Sequence, residues 1–266
     1  MYGSFGQKGP QSGYSDVQRS TGAGKGFAWG RTRGYDEEAG TSLYPGLEGA
    51  DAEMRWGFIR KVYGILTFQI LLTLVTVGTV VAVPTLRDFI VNTPGLYLVL
   101  AISPIILIFP LACYSQSHPL NLVLLAVYTI ALSLSVGVIA SFTAAPIVFE
   151  ALLLTFIVVA SLTAYTFYAV RQGADFSYLG PILWVSVLVL IGWGFLQIFF
   201  PMGHVSRTIY AALGALVFSV YIVYDTENLI KRHSYDEYIW ASVMLYIDVL
   251  NLFINLLSLL RETQDN

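Results

Sequence analysis

The chain has 266 residues, 56% hydrophobic and 12% charged, with a formal net charge of −3 and a mean hydropathy of +0.68. Soluble domains carry about a quarter of their residues as charges, so this composition excludes an ordinary water-soluble domain. Residues 1–61 hold 8 of the 14 Lys/Arg and 7 of the 17 Asp/Glu, which describes a membrane protein behind a polar N-terminal tail.

The net charge is too small to imply an acidic or basic partner, and no basic run is long enough for nucleic acid. A single cysteine, Cys113, excludes an internal disulfide framework and a Cys-based metal cluster. Within its apolar run it reads as a small buried hydrophobe. The chain opens Met1-Tyr2-Gly3-Ser4 and stays polar for about sixty residues, so no cleavable signal peptide is expected and the first span should target itself.

Residues 1–54 are rich in Gly, Ser, Tyr and charge of both signs, without a period of 2 or 3.6. Such a stretch buries too little apolar surface to offset its ordering entropy, and a disordered cytosolic tail is expected. Tyr2, Tyr14, Tyr35, Tyr44 and the Leu43-Tyr44-Pro45-Gly46-Leu47 segment offer recognition or phosphorylation sites; a flexible tail with no specific contacts is the plainer reading.

About 20 apolar residues cross the hydrocarbon core as a helix. Seven stretches of the 55–261 membrane domain qualify, at about 62–83, 95–113, 120–142, 147–169, 178–199, 207–229 and 238–260, and residues 262–266 form a short C-terminal end. The expected fold is all-α, a polytopic seven-transmembrane-helix bundle. Short links, such as Thr143-Ala144-Ala145-Pro146, predict that consecutive helices are antiparallel neighbours. Pro104 and Pro110 predict a kinked second span. With the N-terminus cytosolic, that side carries 11 Lys/Arg and the far side 3, and Arg55, Arg60 and Lys61 dominate that orientation.

Ionisable groups at membrane depth cost about 2.5–3.5 kcal/mol each on the insertion scale, so they point to function. Asp225 lies roughly 9 Å below the Lys231 edge, and Asp248 roughly 15 Å beyond Tyr238 on the returning helix. Their carboxylates can meet between antiparallel neighbours. At close range in a low dielectric the two will not both ionise readily and will titrate as a unit. Protonated, the pair can hold two helices together; deprotonated, it repels and offers hard oxygens suited to Ca²⁺. Asp225 and Asp248 are therefore the expected pH sensor and Ca²⁺ ligands.

Asp248, Asn251 and Asn255 fall at i, i+3 and i+7, one polar stripe of the last span. That stripe cannot face lipid, so the last helix should be central. It either lines a hydrated ion path or ties helices together through interhelical hydrogen bonds. Glu150, at the far-side start of span four, is either an outer-mouth residue or an interfacial carboxylate near a helix N-terminus. Glu227 is a carboxylate nearer the boundary. His118 reads as a solvated loop residue, and His204 and His233 as loop residues without partners. No metalloprotease helix, phosphate-binding glycine loop or nucleophile elbow occurs, so an enzyme is not expected.

Several segments together resemble the Bax inhibitor-1 (transmembrane Bax inhibitor motif) superfamily, in its Lifeguard branch. They are Arg55-x-x-Phe58-Ile59-Arg60-Lys61-Val62-Tyr63, His118-Pro119-Leu120-Asn121, Glu150-Ala151-Leu152-Leu153-Leu154-Thr155, Tyr224-Asp225-Thr226, Tyr238-Ile239-Trp240 and Asp248-x-x-Asn251-Leu252-Phe253. The resemblance covers about residues 55–260, and the Gly/Tyr-rich tail looks like that of plant members. It implies a seven-helix bundle with the last helix central, a pH-sensitive Ca²⁺ leak across an endomembrane, and suppression of programmed cell death. The family's paired aspartates match Asp225 and Asp248. Two departures stand out. Residues 95–113 lack the arginine that in bacterial relatives latches one aspartate, and the chain ends Arg261-Glu262-Thr263-Gln264-Asp265-Asn266 without a lysine-rich tail.

The leading expectation is thus a Ca²⁺ leak channel gated by the aspartate pair, with the bilayer, Ca²⁺ and protons as partners and no cofactor. The rival is a membrane-anchored interaction protein that regulates cell death through protein partners of its tail, without ion transport. A seven-helix receptor ranks last, because the cytosolic loops are too short to engage a large partner. The endoplasmic reticulum or another endomembrane is the expected location, with the plasma membrane as the alternative.

Overall fold

The computed structural model describes residues 49–200 and 203–264; of the expected tail, residues 1–54, residues 1–48 lie outside them. The described residues form eight helices: α1 (Gly49–Ala82), α2 (Pro84–Val91), α3 (Pro94–Cys113), α4 (Leu120–Ser141), α5 (Ala145–Arg171), α6 (Leu179–Phe199), α7 (His204–Lys231) and α8 (Tyr238–Gln264). Six of these are long and apolar enough to cross a membrane, and α3 contributes a shorter apolar stretch, Leu98–Cys113. The chain is a polytopic helical membrane protein.

Two boundaries differ from expectation for identifiable reasons. α1 starts at Gly49, so residues 49–54 are helical. Once an apolar span has nucleated a helix, extending it adds a bond for each residue fixed. The short α2 was not anticipated. It opens on Pro84 and buries only Ile90, and eight residues are too few for periodicity to register.

α8 is the centre of the molecule and packs against α1, α4, α5 and α7. A buried core from Ile239 to Leu257 runs along it. This corrects the expectation that consecutive helices are neighbours. α5 follows α4 by a three-residue link, yet packs on α7 and α8, and α6 packs on α7. Surrounding α8 requires helices on several sides of it, which separates α4 from α5. α1 and α4 run parallel: Gln69 meets Thr129 and Thr73 meets Ser133, at the same sixty-residue offset.

Exposed large apolar side chains cluster on the outer faces, for example Phe68, Phe109, Phe156, Trp184 and Ile198, as a lipid-facing surface requires. Pro104 cannot donate to Leu100 O, the acceptor one turn earlier in α3. Ser135 Oγ of α4 donates to that carbonyl at 2.7 Å. A proline defect is thereby converted into an α3–α4 bond.

Candidate functional site: a buried carboxylate pair between α7 and α8

α7 and α8 are joined by residues 232–237 and pack along their length. Close approach depends on Gly214, where a Cβ would lie 2.1 Å from Asn255 Oδ1. Asp225 sits six residues before the end of α7 and Asp248 near the middle of α8. Both are buried, and their side chains are in direct contact.

Asn228, on the next turn of α7, donates Nδ2 to Asp225 Oδ1 at 3.4 Å. Asp225 Oδ2 and Asp248 Oδ2 are buried and have no hydrogen-bond partner among the described residues. Asn228 Oδ1 and Thr226 Oγ1 are likewise buried and unpaired. Tyr221, one turn before Asp225, lies within electrostatic range of both carboxylates and was not singled out from sequence. The spacing i−4 on a helix was the signal available. The aspartate pair thus presents unpaired buried acceptor oxygens inside an apolar bundle.

In the polar stripe of α8 both asparagine amides bond to their own helix. Asn251 Nδ2 donates to Ile247 O at 2.9 Å, and Asn255 Nδ2 to Asn251 O at 2.8 Å. Each amide thus gives one N–H to the carbonyl four residues back in α8. Interhelical polar contacts occur at Tyr246. Tyr246 OH lies 2.7 Å from Thr73 Oγ1 and 3.2 Å from Ser133 Oγ, joining α8 to α1 and α4. Sequence reading missed this cluster because Thr, Ser and Tyr satisfy helix patterns without looking polar.

Glu227 is fully buried and serves the loop after α5. Its carboxylate accepts the Phe176 N–H at 3.0 Å and pairs with Lys231 Nζ at 2.9 Å. Lys231 also donates to Ala174 O, and Arg232 donates to Ser177 Oγ. The loop 172–178 is therefore strapped to the end of α7 on the approach to Asp225. In that loop the Ser177 hydroxyl and amide hold the Asp175 carboxyl below its ordinary range.

Arg55 near the start of α1 clamps the α7–α8 turn. It donates to His233 O, and its guanidinium stacks 4.8 Å from the Tyr235 ring centre. His233 is no lone loop residue, since Nδ1 lies 3.2 Å from Glu237 Oε2. The Ser234 amide and His233 hold the Glu237 carboxyl below its ordinary range.

Glu150 stands exposed near the start of α5, twenty-one residues before Arg171. The loop after Arg171 joins the Lys231 end of α7, so Glu150 is at the opposite end of the bundle from Asp225. At that opposite end lies a fourth buried carboxylate, which sequence reading missed. Glu262 accepts Arg207 Nε at 2.9 Å and Nη2 at 3.2 Å, and His204 Nε2 lies 3.3 Å away. His204 is thus the paired first residue of α7, not an unpartnered loop residue. The signal was present: residues in the first turn of α7 and the last turn of α8 must coincide when the two run antiparallel.

His118 is exposed. Cys113, read as buried, is exposed at the C-terminal end of α3, where the helix leaves the bundle. Among the described residues no cluster of three or more His, Cys, Asp or Glu could hold a metal ion.

An all-helical membrane bundle built around a central final helix, with two buried aspartates meeting between its last two helices, defines the class of protein. The family model described as inhibitor of apoptosis-promoting Bax1 matches residues 55–265, and the chain belongs to this Bax inhibitor family. It is 54% identical over 221 residues to a "BI1-like protein" of Arabidopsis thaliana, covering 83% of this chain and 86% of that one. It is 49% identical over 228 residues to "Protein LIFEGUARD 2" of the same plant, covering 85% and 95%. A "Golgi anti-apoptotic protein" of Vaccinia virus (strain Lister) is 40% identical over 211 residues, covering 79% and 87%.

Proposed function

We propose that the chain is a pH-sensitive Ca²⁺ leak channel of an endomembrane, which lowers stored calcium and so suppresses programmed cell death. One observation carries the reading. Asp225 and Asp248 touch inside the bundle, each with an unpaired buried oxygen. Burying two carboxylates costs several kcal/mol, which supports a role in ion handling beyond packing. The cell-death role is supported by the family description and by the names of the relatives. The viral relative's name also favours an endomembrane.

A proton shared by the pair bridges α7 and α8. When both carboxylates ionise they repel and present oxygen ligands to a cation. Ca²⁺ takes 6–8 oxygens, whereas Asp225, Asp248 and the Asn228 amide oxygen supply few. The pair therefore suits a passing ion that keeps much of its water shell. Ca²⁺ is cargo here, and no cofactor is called for. Residues 172–178, strapped by Glu227 and Lys231, and the turn clamped by Arg55 flank the proposed approach to the pair.

The test is Ca²⁺ flux into proteoliposomes of the purified chain across a pH series, for wild type and the Asp225→Asn/Asp248→Asn variant. The expected result is a pH-dependent flux that the double variant flattens or shifts. Flux no greater than in empty liposomes at any pH, with folded protein, rejects the channel. A membrane-anchored interaction protein acting through its N-terminal tail would then be the reading to pursue.

A further inference from the structure

We propose that the groove between α1 and α4 binds one anionic phospholipid of the adjoining leaflet, with its acyl chain in the groove and its phosphate on Arg60 and Lys61. The groove has a volume of about 420 Å³, within the range of about 300–1,000 Å³ found for small-molecule sites. Its walls are apolar, Phe68 and Leu122 among them, and Gln69 bonded to Thr129 crosses its deep end. From Lys61 to Gln69 the helix advances about 12 Å, most of the roughly 15 Å half-thickness of a hydrocarbon core. That is the depth an acyl chain occupies in one leaflet.

The charge at the mouth sets which headgroup fits. Arg60 is exposed and forms no ion pair with any described residue. The Lys61 ammonium lies 3.2 Å from the Tyr238 ring centre, which fixes it at the groove mouth and leaves its charge uncompensated by a carboxylate. A second crevice, of about 350 Å³ between α1, α5 and α8, has no charged residue in its lining. Any acyl chain can fill that one, whereas the α1–α4 groove adds two cations at headgroup height. The Lys/Arg bias makes this leaflet the cytosolic one. The proposal is independent of ion transport.

Gly64 provides a clean test, because it lines the groove and nothing lies within 4 Å of where its Cβ would be. The full chain in detergent is incubated with equimolar phosphatidic acid and phosphatidylcholine, and native mass spectrometry reads the retained lipid. Wild type should retain one phosphatidic acid with about 30-fold preference, the ratio that about 1 kcal/mol from each of two interfacial cations gives. Arg60→Gln should cut the preference to about fivefold on the same scale. Gly64→Phe should abolish retention of that lipid without lowering the melting temperature. Arg171→Gln, an exposed cation at the end of α5, should change nothing. Equal retention of the two lipids by wild type overturns the proposal. So does full preference in Gly64→Phe, or a loss in Arg171→Gln matching that in Arg60→Gln.

Discussion

Gly214 of α7 and Asn255 of α8 interlock so closely that a Cβ on the glycine would stand 2.1 Å from Asn255 Oδ1 and 2.5 Å from its Cγ. The asparagine amide is itself anchored to Asn251 O, so it cannot simply swing away. Gly214→Ala should therefore push the two helices apart and destabilise the protein by about 1–3 kcal/mol, as overpacking does. Asn255→Ala in the same chain should restore most of the loss. Thermal melts of the two single variants and the double variant in detergent measure the coupling, and additive losses would contradict the interlock.

The Glu227 carboxylate is fully buried, while the Lys231 side chain it pairs with is one-third exposed. The two ends of this pair should therefore respond unequally. Lys231→Met strands the buried Glu227 carboxylate without its cation and also loses the bond to Ala174 O, and should cost about 3 kcal/mol. Glu227→Gln keeps a neutral amide oxygen to accept the Phe176 N–H and leaves a lysine that can reach water, and should cost about 1 kcal/mol. Hydrogen exchange should show residues 172–178 opening in Lys231→Met much more than in Glu227→Gln. Equal exchange in both variants would mean that the loop is held by other contacts.

The long apolar helices were legible because a run of about twenty apolar residues between polar boundaries is a one-dimensional signal. The meeting of Asp225 with Asp248 was legible for a related reason: rise per residue and a short turn convert sequence separation into depth. What resisted reading was lateral. That α5 turns from α4 to α7 and α8 depends on which faces enclose α8, and no span by itself encodes its neighbours. Glu262 was hidden because its partners Arg207 and His204 lie 55 and 58 residues away. Asn251 and Asn255 each give an amide N–H to their own backbone, a choice that a polar stripe at helical spacing does not reveal.

Tyr246 joins three helices through one hydroxyl, with Thr73 at 2.7 Å and Ser133 at 3.2 Å. Thr73 also donates within 2.8 Å of Gln69 O, and Ser133 within 2.6 Å of Thr129 O. Both neighbours thus keep a partner when the phenol is lost. Tyr246→Phe should then cost about 0.6–1.7 kcal/mol, the range for polar contacts inside membrane bundles. Thr73→Val removes all three of its hydroxyl contacts, to Gln69 O, Ser133 and Tyr246, and should cost at least as much. Chemical denaturation in mixed micelles checks the order; a Tyr246→Phe loss well above that of Thr73→Val would reverse the roles assigned to the two hydroxyls.

Glu237, just before α8, carries the pH dependence that can be worked out for the α7–α8 turn. Its Oε2 accepts the Ser234 N–H at 3.0 Å and faces His233 Nδ1 at 3.2 Å. These contacts favour the ionised form and hold its pKa below the ordinary 4.5. A carboxylate depressed on folding contributes stability above its unfolded pKa and loses it as pH falls through the folded one. The turn should therefore hold at neutral pH and loosen only below about pH 4.5, with Glu237→Gln removing that acid limb. Because the side chain is 41% exposed, solvent screening keeps the effect small. Hydrogen exchange of residues 232–237 across pH 3–7, corrected for intrinsic rates, reads it directly. Loosening of this turn near neutral pH that persists in Glu237→Gln would place the responsible titration on another group.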